Sequence, residues 1–338
     1  MEAAQLMLVV MWAGLTLYAL FGGADFGGGL WDLVAGRSAA GMPQRRLIEH
    51  SIGPVWEANH VWLIFIVVVL WTGFPPVFAA VMSTLYIPLT LAALGIIARG
   101  AAFAFRKTSP ELWQQRLFGA AFALSSVLTP FFFGAVAGAV ASGRVPPGLA
   151  AGNLITSWLN PTSVLGGVLA VTTCAYLAAV YLCDDAVRAR LPALAESFRR
   201  KAIGTGVVAG AIALGGIAVL YHDAPRLFDG LVGRALPLVV LSAVAGVIAL
   251  VLLWVRRFVV ARAASALAVV AVLWGWAFAQ YPLMLVPSVD YASAAAHETV
   301  LVASLWAVAI GGVLIIVPSL LLLYTFQHRS PYESEQAG

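Results

Sequence analysis

Along this chain, apolar runs repeatedly reach the roughly 18 to 20 residues that carry one helix across the hydrocarbon core of a bilayer. Inside lipid each backbone N–H and C=O must find its partner within the segment, so such runs are read as spanning helices. They recur at about 4–22, 58–73, 78–98, 118–140, 161–182, 203–221, 236–254, 265–284 and 301–324. The expectation is an all-α membrane protein of about nine transmembrane helices. Hydrophobic residues make up 62% of the 338 and charged residues 10%, well under the roughly 25% charged typical of soluble domains. The connections are short, so no soluble domain has room to fold. One polytopic domain is expected over 1–326, followed by a polar cytoplasmic tail over 327–338.

Breakers mark the joints: Phe74-Pro75-Pro76, Val145-Pro146-Pro147, Asn160-Pro161 and Tyr281-Pro282. Orientation follows from the basic residues, which concentrate in cytoplasmic loops. With the N-terminus outside, sixteen of the 19 Lys and Arg fall in inner loops, Arg99 among them, and Arg144, Arg226 and Arg234 fall outside. The N-terminus is therefore placed outside and the C-terminus in the cytoplasm. A net charge of +4 is too small to point to nucleic acid. The first run lacks a basic leader, so no cleavable signal peptide is expected. Cys174 and Cys183 have no metal-binding or CxxC spacing and read as structural thiols. Glycine pairs such as Gly166-Gly167, Gly215-Gly216 and Gly311-Gly312 read as close helix packing.

Between Phe21 and Trp71 the pattern is broken by polar groups. Phe21-Gly-Gly-Ala-Asp25-Phe-Gly-Gly-Gly29-Leu-Trp31-Asp32 sets a carboxylate among five glycines. After a basic link comes Ile52-Gly-Pro54-Val-Trp56-Glu57-Ala-Asn59-His60-Val-Trp62-Leu. Such groups so near a bilayer core cost several kcal/mol unless water or a partner satisfies them, and they read as a functional site. Asp25 is the leading candidate. It is placed after the first span at the cytoplasmic side, where glycines let water or another backbone reach it. The bland alternative is a helix-end residue paired with Arg37 or Arg45.

Glu57 and His60, three residues apart, share a helix face. A carboxylate-bridged di-iron bundle needs a second Glu-x-x-His and two further Glu, which the chain lacks. His60 is open between a haem ligand and a hydrogen-bonded helix-end residue. Asp32 reads as an interfacial charge, and Asp184-Asp185 as a solvated helix end. His222-Asp223, Asp290 and His297-Glu298 read as exposed loop or helix-start residues. Trp31, Trp56, Trp62, Trp71, Trp113 and Trp158 fit an interfacial belt. Trp274 and Trp276 lie deeper, facing a partner or lipid.

The paired motifs Gly23-Ala-Asp25-Phe-Gly27-Gly-Gly29 and Ile52 to Ile64 resemble the N-terminal signature of subunit II of cytochrome bd-type quinol oxidases. The resemblance continues through Phe74-Pro75, Ala98-Arg99-Gly100, Leu159-Asn160-Pro161, Tyr281-Pro282-Leu-Met-Leu-Val-Pro287-Ser288 and Leu323-Tyr324-Thr325. It implies two four-helix bundles plus a peripheral helix in the bacterial cytoplasmic (inner) membrane. It also implies a partner, subunit I, carrying two b-type haems and one d-type haem and the quinol-oxidation loop. The pair would oxidise quinol, reduce oxygen to water with cytoplasmic protons, and build a proton-motive force without pumping. Asp25 and Glu57 match acidic positions associated with a proton path in this family, with Trp56, Asn59 and His60 in support. No metal site is expected on this chain. A structural quinone or lipid, surrounding membrane lipids and a small accessory transmembrane subunit complete the implied setting. Two other readings stand beside it: a proton-coupled secondary transporter, and a non-catalytic scaffold.

Overall fold

The computed structural model describes residues 2–35, 41–52, 56–108 and 112–316. In chain order, helices run over α1 Ala3–Val34, α2 Met42–Ile52, α3 Trp56–Gly73, α4 Pro75–Thr84, α5 Tyr86–Thr108 and α6 Leu112–Ala141. They continue as α7 Pro161–Arg188, α8 Pro192–Asp223, α9 Pro225–Val232, α10 Leu236–Trp254 and α11 Phe258–Gln280. A small antiparallel hairpin, β1 Leu283–Leu285 with β2 Val289–Asp290, leads into α12 Tyr291–Ala294 and α13 Glu298–Gly311. A π-helical turn over Gly312–Ile316 follows. The expected tail over 327–338 lies outside the described residues.

Six helices (α1, α6, α7, α8, α10 and α11) are long and apolar enough to cross a membrane. The third expected span is not straight: α4 and α5 meet at an angle of 83°. Leu85 forms the break, and Pro88 falls in the first turn of α5, where a missing N–H leaves no helical bond unmade. Counted together, this pair gives a seventh span. Two shorter apolar helices, Asn59–Gly73 and Glu298–Leu314, stand where the second and ninth runs were expected.

The largest departure is α1. The glycine-rich segment, expected to end the first span, is helical throughout and carries the helix to Val34. Gly27 explains why: a Cβ there would collide with the Cys174 carbonyl of α7, so its absence lets the two backbones touch. Gly134 and Gly166 do the same between α6 and α7, each facing the other's carbonyl. By contrast Gly210, Gly215 and Gly311 meet nothing within 4 Å among the described residues, so packing accounts for some glycines and not for others.

One core gathers Trp31, Leu47, Ile48, Leu182, Phe198 and Leu253 at the arginine-rich end of the bundle. A second, around Met7, Phe74, Leu85, Val145, Leu285 and Leu301, fills the opposite end. Trp31 is therefore a core residue rather than a belt residue, its indole donating to Ala175 O at 2.8 Å. Trp274 and Trp276 also turn inward, the first donating to Thr16 Oγ1 at 3.1 Å and the second meeting Trp12 edge-on. Asp223 does more than sit at a surface. It takes two bonds from Arg144 at 2.6 and 3.0 Å and accepts from Thr162 N and Oγ1 at the start of α7. Asp290 and His297 cap α12 and α13. Both cysteines are buried free thiols.

Gly134→Val should wedge α6 from α7 and cost about 1–3 kcal/mol by overpacking. Gly210→Val, on an open face, should stay within about 0.5 kcal/mol of the parent. Thermal unfolding of the detergent-solubilised protein measures both.

Candidate functional site

The polar centre lies inside the bundle, where α1, α5 and α6 meet. Asp25 is 2% exposed and Arg99 1%. Arg99 Nη2 donates to Asp25 Oδ1 at 2.5 Å and to the Asp25 carbonyl at 2.9 Å, while Nη1 donates to Ser126 Oγ at 2.7 Å. Ser126 Oγ in turn donates to Phe122 O at 2.6 Å. The guanidinium carbon lies 4.9 Å from the Phe26 ring centre and 4.7 Å from that of Phe122, so aromatic rings supply cation–π attraction on its apolar sides.

Local sequence makes this geometry. Gly29 stands opposite Ser126 and Arg99, where a side chain would occupy the space of the Ser126 hydroxyl. Gly95, one turn before Arg99, opens similarly onto Thr129 of α6. Pro130 lacks the N–H that would bond the Ser126 carbonyl one turn back, which loosens α6 beside the guanidinium. Asn59 at the start of α3 donates to Phe21 O at 3.3 Å and ties that helix to α1. The His60 ring stands 6.0 Å from Phe26. Tyr18 and Cys174 close the cluster on the side away from the arginine-rich end.

Asp25 is thus neither a helix-end residue nor paired with Arg45; it sits within α1 and its partner is Arg99. Arg37 lies outside the described residues. Arg99 was expected in an inner loop and is instead a buried member of α5. The sequence carried a signal for this, since the apolar run resumes after Arg99 as Gly-Ala-Ala-Phe-Ala-Phe105. A charge with hydrocarbon on both sides in the chain lies within a span. Glu57 and Trp56 begin α3, but their side chains lie outside the described residues. Asp32, expected as an interfacial charge, and Asp184, expected at a solvated helix end, are both buried, and Asp184 pairs with Arg188 at 2.8 Å and Arg262 at 3.5 Å. Among the described residues no cluster of three or more His, Cys, Asp or Glu could hold a metal ion.

The arrangement holds one charge pair out of water with one free carboxylate oxygen. Asp25 Oδ2 is buried and takes no hydrogen bond among the described residues. Breaking such a pair from one side costs about 3–5 kcal/mol. The two sides differ, because a lone buried carboxylate can neutralise itself with a proton and a guanidinium cannot. Asp25→Asn should therefore destabilise more than Arg99→Gln, and the double variant should recover most of the loss. Thermal unfolding of the three solubilised proteins checks the order.

Known proteins resemble this chain in fold and in part of its sequence. The family model for cytochrome bd terminal oxidase subunit II matches residues 3–326. Cytochrome bd ubiquinol oxidase subunit 2 of Bacillus subtilis is 29% identical over 153 residues, which is 45% of this chain and 44% of that one. Cytochrome bd-I ubiquinol oxidase subunit 2 of Escherichia coli is 28% identical over 172 residues, 49% of this chain and 44% of its own. The aligned stretch thus spans less than half the length of either curated relative. A chain in the structure of bd oxidase from Geobacillus thermodenitrificans superposes with a TM-score of 0.74 at 24% identity, covering 97% of this chain and 99% of that one. With its family model matched almost from end to end, this chain belongs to the cytochrome bd terminal oxidase subunit II family.

Proposed function

We propose that the chain works as subunit II of a quinol:oxygen oxidoreductase in the bacterial inner membrane, beside a haem-bearing subunit I. In this reading it crosses the membrane nine times, N-terminus out and C-terminus in, with α4–α5 counted once and α3 and α13 as the shorter crossings. Family membership over residues 3–326 carries the assignment. Among the described residues His60 is the one histidine that is not exposed. His50, His222 and His297 are exposed, and His60 rests beside Phe26. In this reading the two b-type haems and the d-type haem belong to the partner, as does quinol oxidation, which follows from the family and not from these histidines. A structural quinone and a small accessory subunit remain compatible additions with no residue assigned to them.

Within that complex, Asp25 and Glu57 are proposed to carry protons from the cytoplasm towards the partner's oxygen-reducing centre, with Trp56, Asn59 and His60 around them. The observation that favours a role for Asp25 beyond packing is its buried, unbonded Oδ2 beside a fixed cation. Ionisable groups at this depth are commonly part of a charge or proton route. Arg99 holds one oxygen of the carboxylate, leaving the other as the place where a proton can arrive and depart. A secondary transporter would be expected to place its acidic residue at an unwound helix break, and α1 is unbroken at Asp25.

The test is the assembled complex carrying Asp25→Asn together with Arg99→Gln, which removes both charges without stranding either. Oxygen consumption with a quinol donor should fall at least tenfold while the visible haem spectrum stays at parent intensity, and Asp25→Glu should retain most activity. Parent-level turnover in the double variant would leave the pair a structural role and remove the proposed path. Glu57→Gln should lower turnover likewise with haem content unchanged.

A further inference from the structure

The outward faces of α8 and α10 meet no other part of the described chain. Of the apolar stretch of α8, 6% is buried, and of α10, 17%, against 50% for α7. These faces are aliphatic, with Val207, Leu214, Val247 and Val251 all exposed. At one end the chemistry changes within a helical turn. Arg199 and Arg200, from the start of α8, gather with Arg256, from the turn after α10, around Glu196, and the adjacent Arg257 is exposed.

Arg199 grips that carboxylate with two bonds, at 2.6 and 2.9 Å. Arg256 reaches it at 3.3 Å and Arg200 lies 3.5 Å away. Arg257 has no carboxylate partner among the described residues. Three guanidinium groups against one carboxylate leave an excess of two positive charges, and the exposed Arg257 beside them adds a third. Arg200 and Arg256 are strongly exposed, at 75% and 68% of their side chains, so most of their N–H donors point to the surroundings. Trp254 lies at the same level, exposed, with its ring centre 5.9 Å from the Arg199 guanidinium.

We propose that this edge is a binding site for an anionic phospholipid, the phosphate held by Arg200, Arg256 and Arg257 and the acyl chains lying along α8 and α10. Guanidinium groups match phosphate oxygens in pairs. A lipid is favoured over a protein partner because the basic cluster stands at the end of a long, sparsely buried aliphatic face, 6% buried on α8 and 17% on α10. Basic residues directly above an aliphatic belt, with tryptophan at the boundary, match the chemistry of a lipid headgroup layer instead. The site stands independently of the proposed oxidase activity.

The assembled complex, stripped with detergent, would be offered phosphatidylcholine vesicles with or without phosphatidylglycerol. Lipid retained after washing would be counted by mass spectrometry of the intact complex. The parent should retain phosphatidylglycerol in preference to phosphatidylcholine. Arg200→Gln/Arg256→Gln/Arg257→Gln should weaken that retention about a hundredfold, each charge contributing roughly a factor of five. Arg45→Gln/Arg46→Gln, which removes charge elsewhere at the basic end, should stay within about twofold of the parent. Equal retention of the two lipids by the parent, parent-like retention by the triple variant, or an equal loss in the Arg45/Arg46 variant would each overturn the proposal. If the triple variant fails to assemble, Arg256→Gln/Arg257→Gln takes its place, with a loss of about twenty-five-fold expected and parent-like retention overturning the site.

Discussion

A guanidinium group has no neutral form to retreat to, and this fold buries one almost completely. Everything around Arg99 follows from that constraint. Charge balance comes from Asp25, hydrogen bonds from the Asp25 carbonyl and Ser126, and the remaining faces are covered by Phe26 and Phe122. Because these groups lie on α1, α5 and α6, satisfying one side chain fixes the register of three helices. A one-residue slide of any of them would strand a charge at a depth where water is scarce, with a penalty of several kcal/mol.

Small residues make that convergence sterically feasible. Lipid tails are as apolar as the helices, so association rests on contact and on polar bonds rather than on expulsion of water. Gly27 brings α1 onto α7, Gly134 and Gly166 bring α6 onto α7, and Gly29 clears room at the ion pair itself. The glycines of the first motif thus serve helix-to-helix approach. They do not open a hydrated break, and Asp25 is reached by a cation rather than by bulk solvent. At the far end, Asp223 binds Arg144 and the first turn of α7, closing the bundle with half-buried rather than deep charges.

Hydrophobic run length made the helical class and most helix positions legible in the sequence, because hydrocarbon leaves the backbone few alternatives. Polarity breaks made the importance of Asp25 legible too. What misled was the treatment of charge and glycine as ends of helices. Arg99 closed the expected third span, although the apolar run continues to Phe105, and Gly22 closed the first, although α1 runs to Val34. A pair 74 residues apart cancels its own charge only in three dimensions, and no local pattern announces such a partner. Trp31, Trp274 and Trp276 illustrate the same limit, since an indole at a helix end serves a lipid boundary or a neighbouring carbonyl with equal ease. The bend at Leu85 has a visible cause in Pro88, but its angle depends on what α4 packs against.

The sparse burial of α8 has one more consequence. Between Lys201 and Tyr221 every residue is apolar, glycine or threonine, a stretch of about 19 residues that measures roughly 28 Å along a helix. Since little of the chain shields this rod, its length must agree with the surrounding hydrocarbon, close to the typical value of about 30 Å. In a thicker or thinner bilayer the mismatch would fall first on α8, through tilt or local deformation of the lipid. The helix thereby acts as a ruler, setting the membrane depth at which the rest of the molecule is suspended.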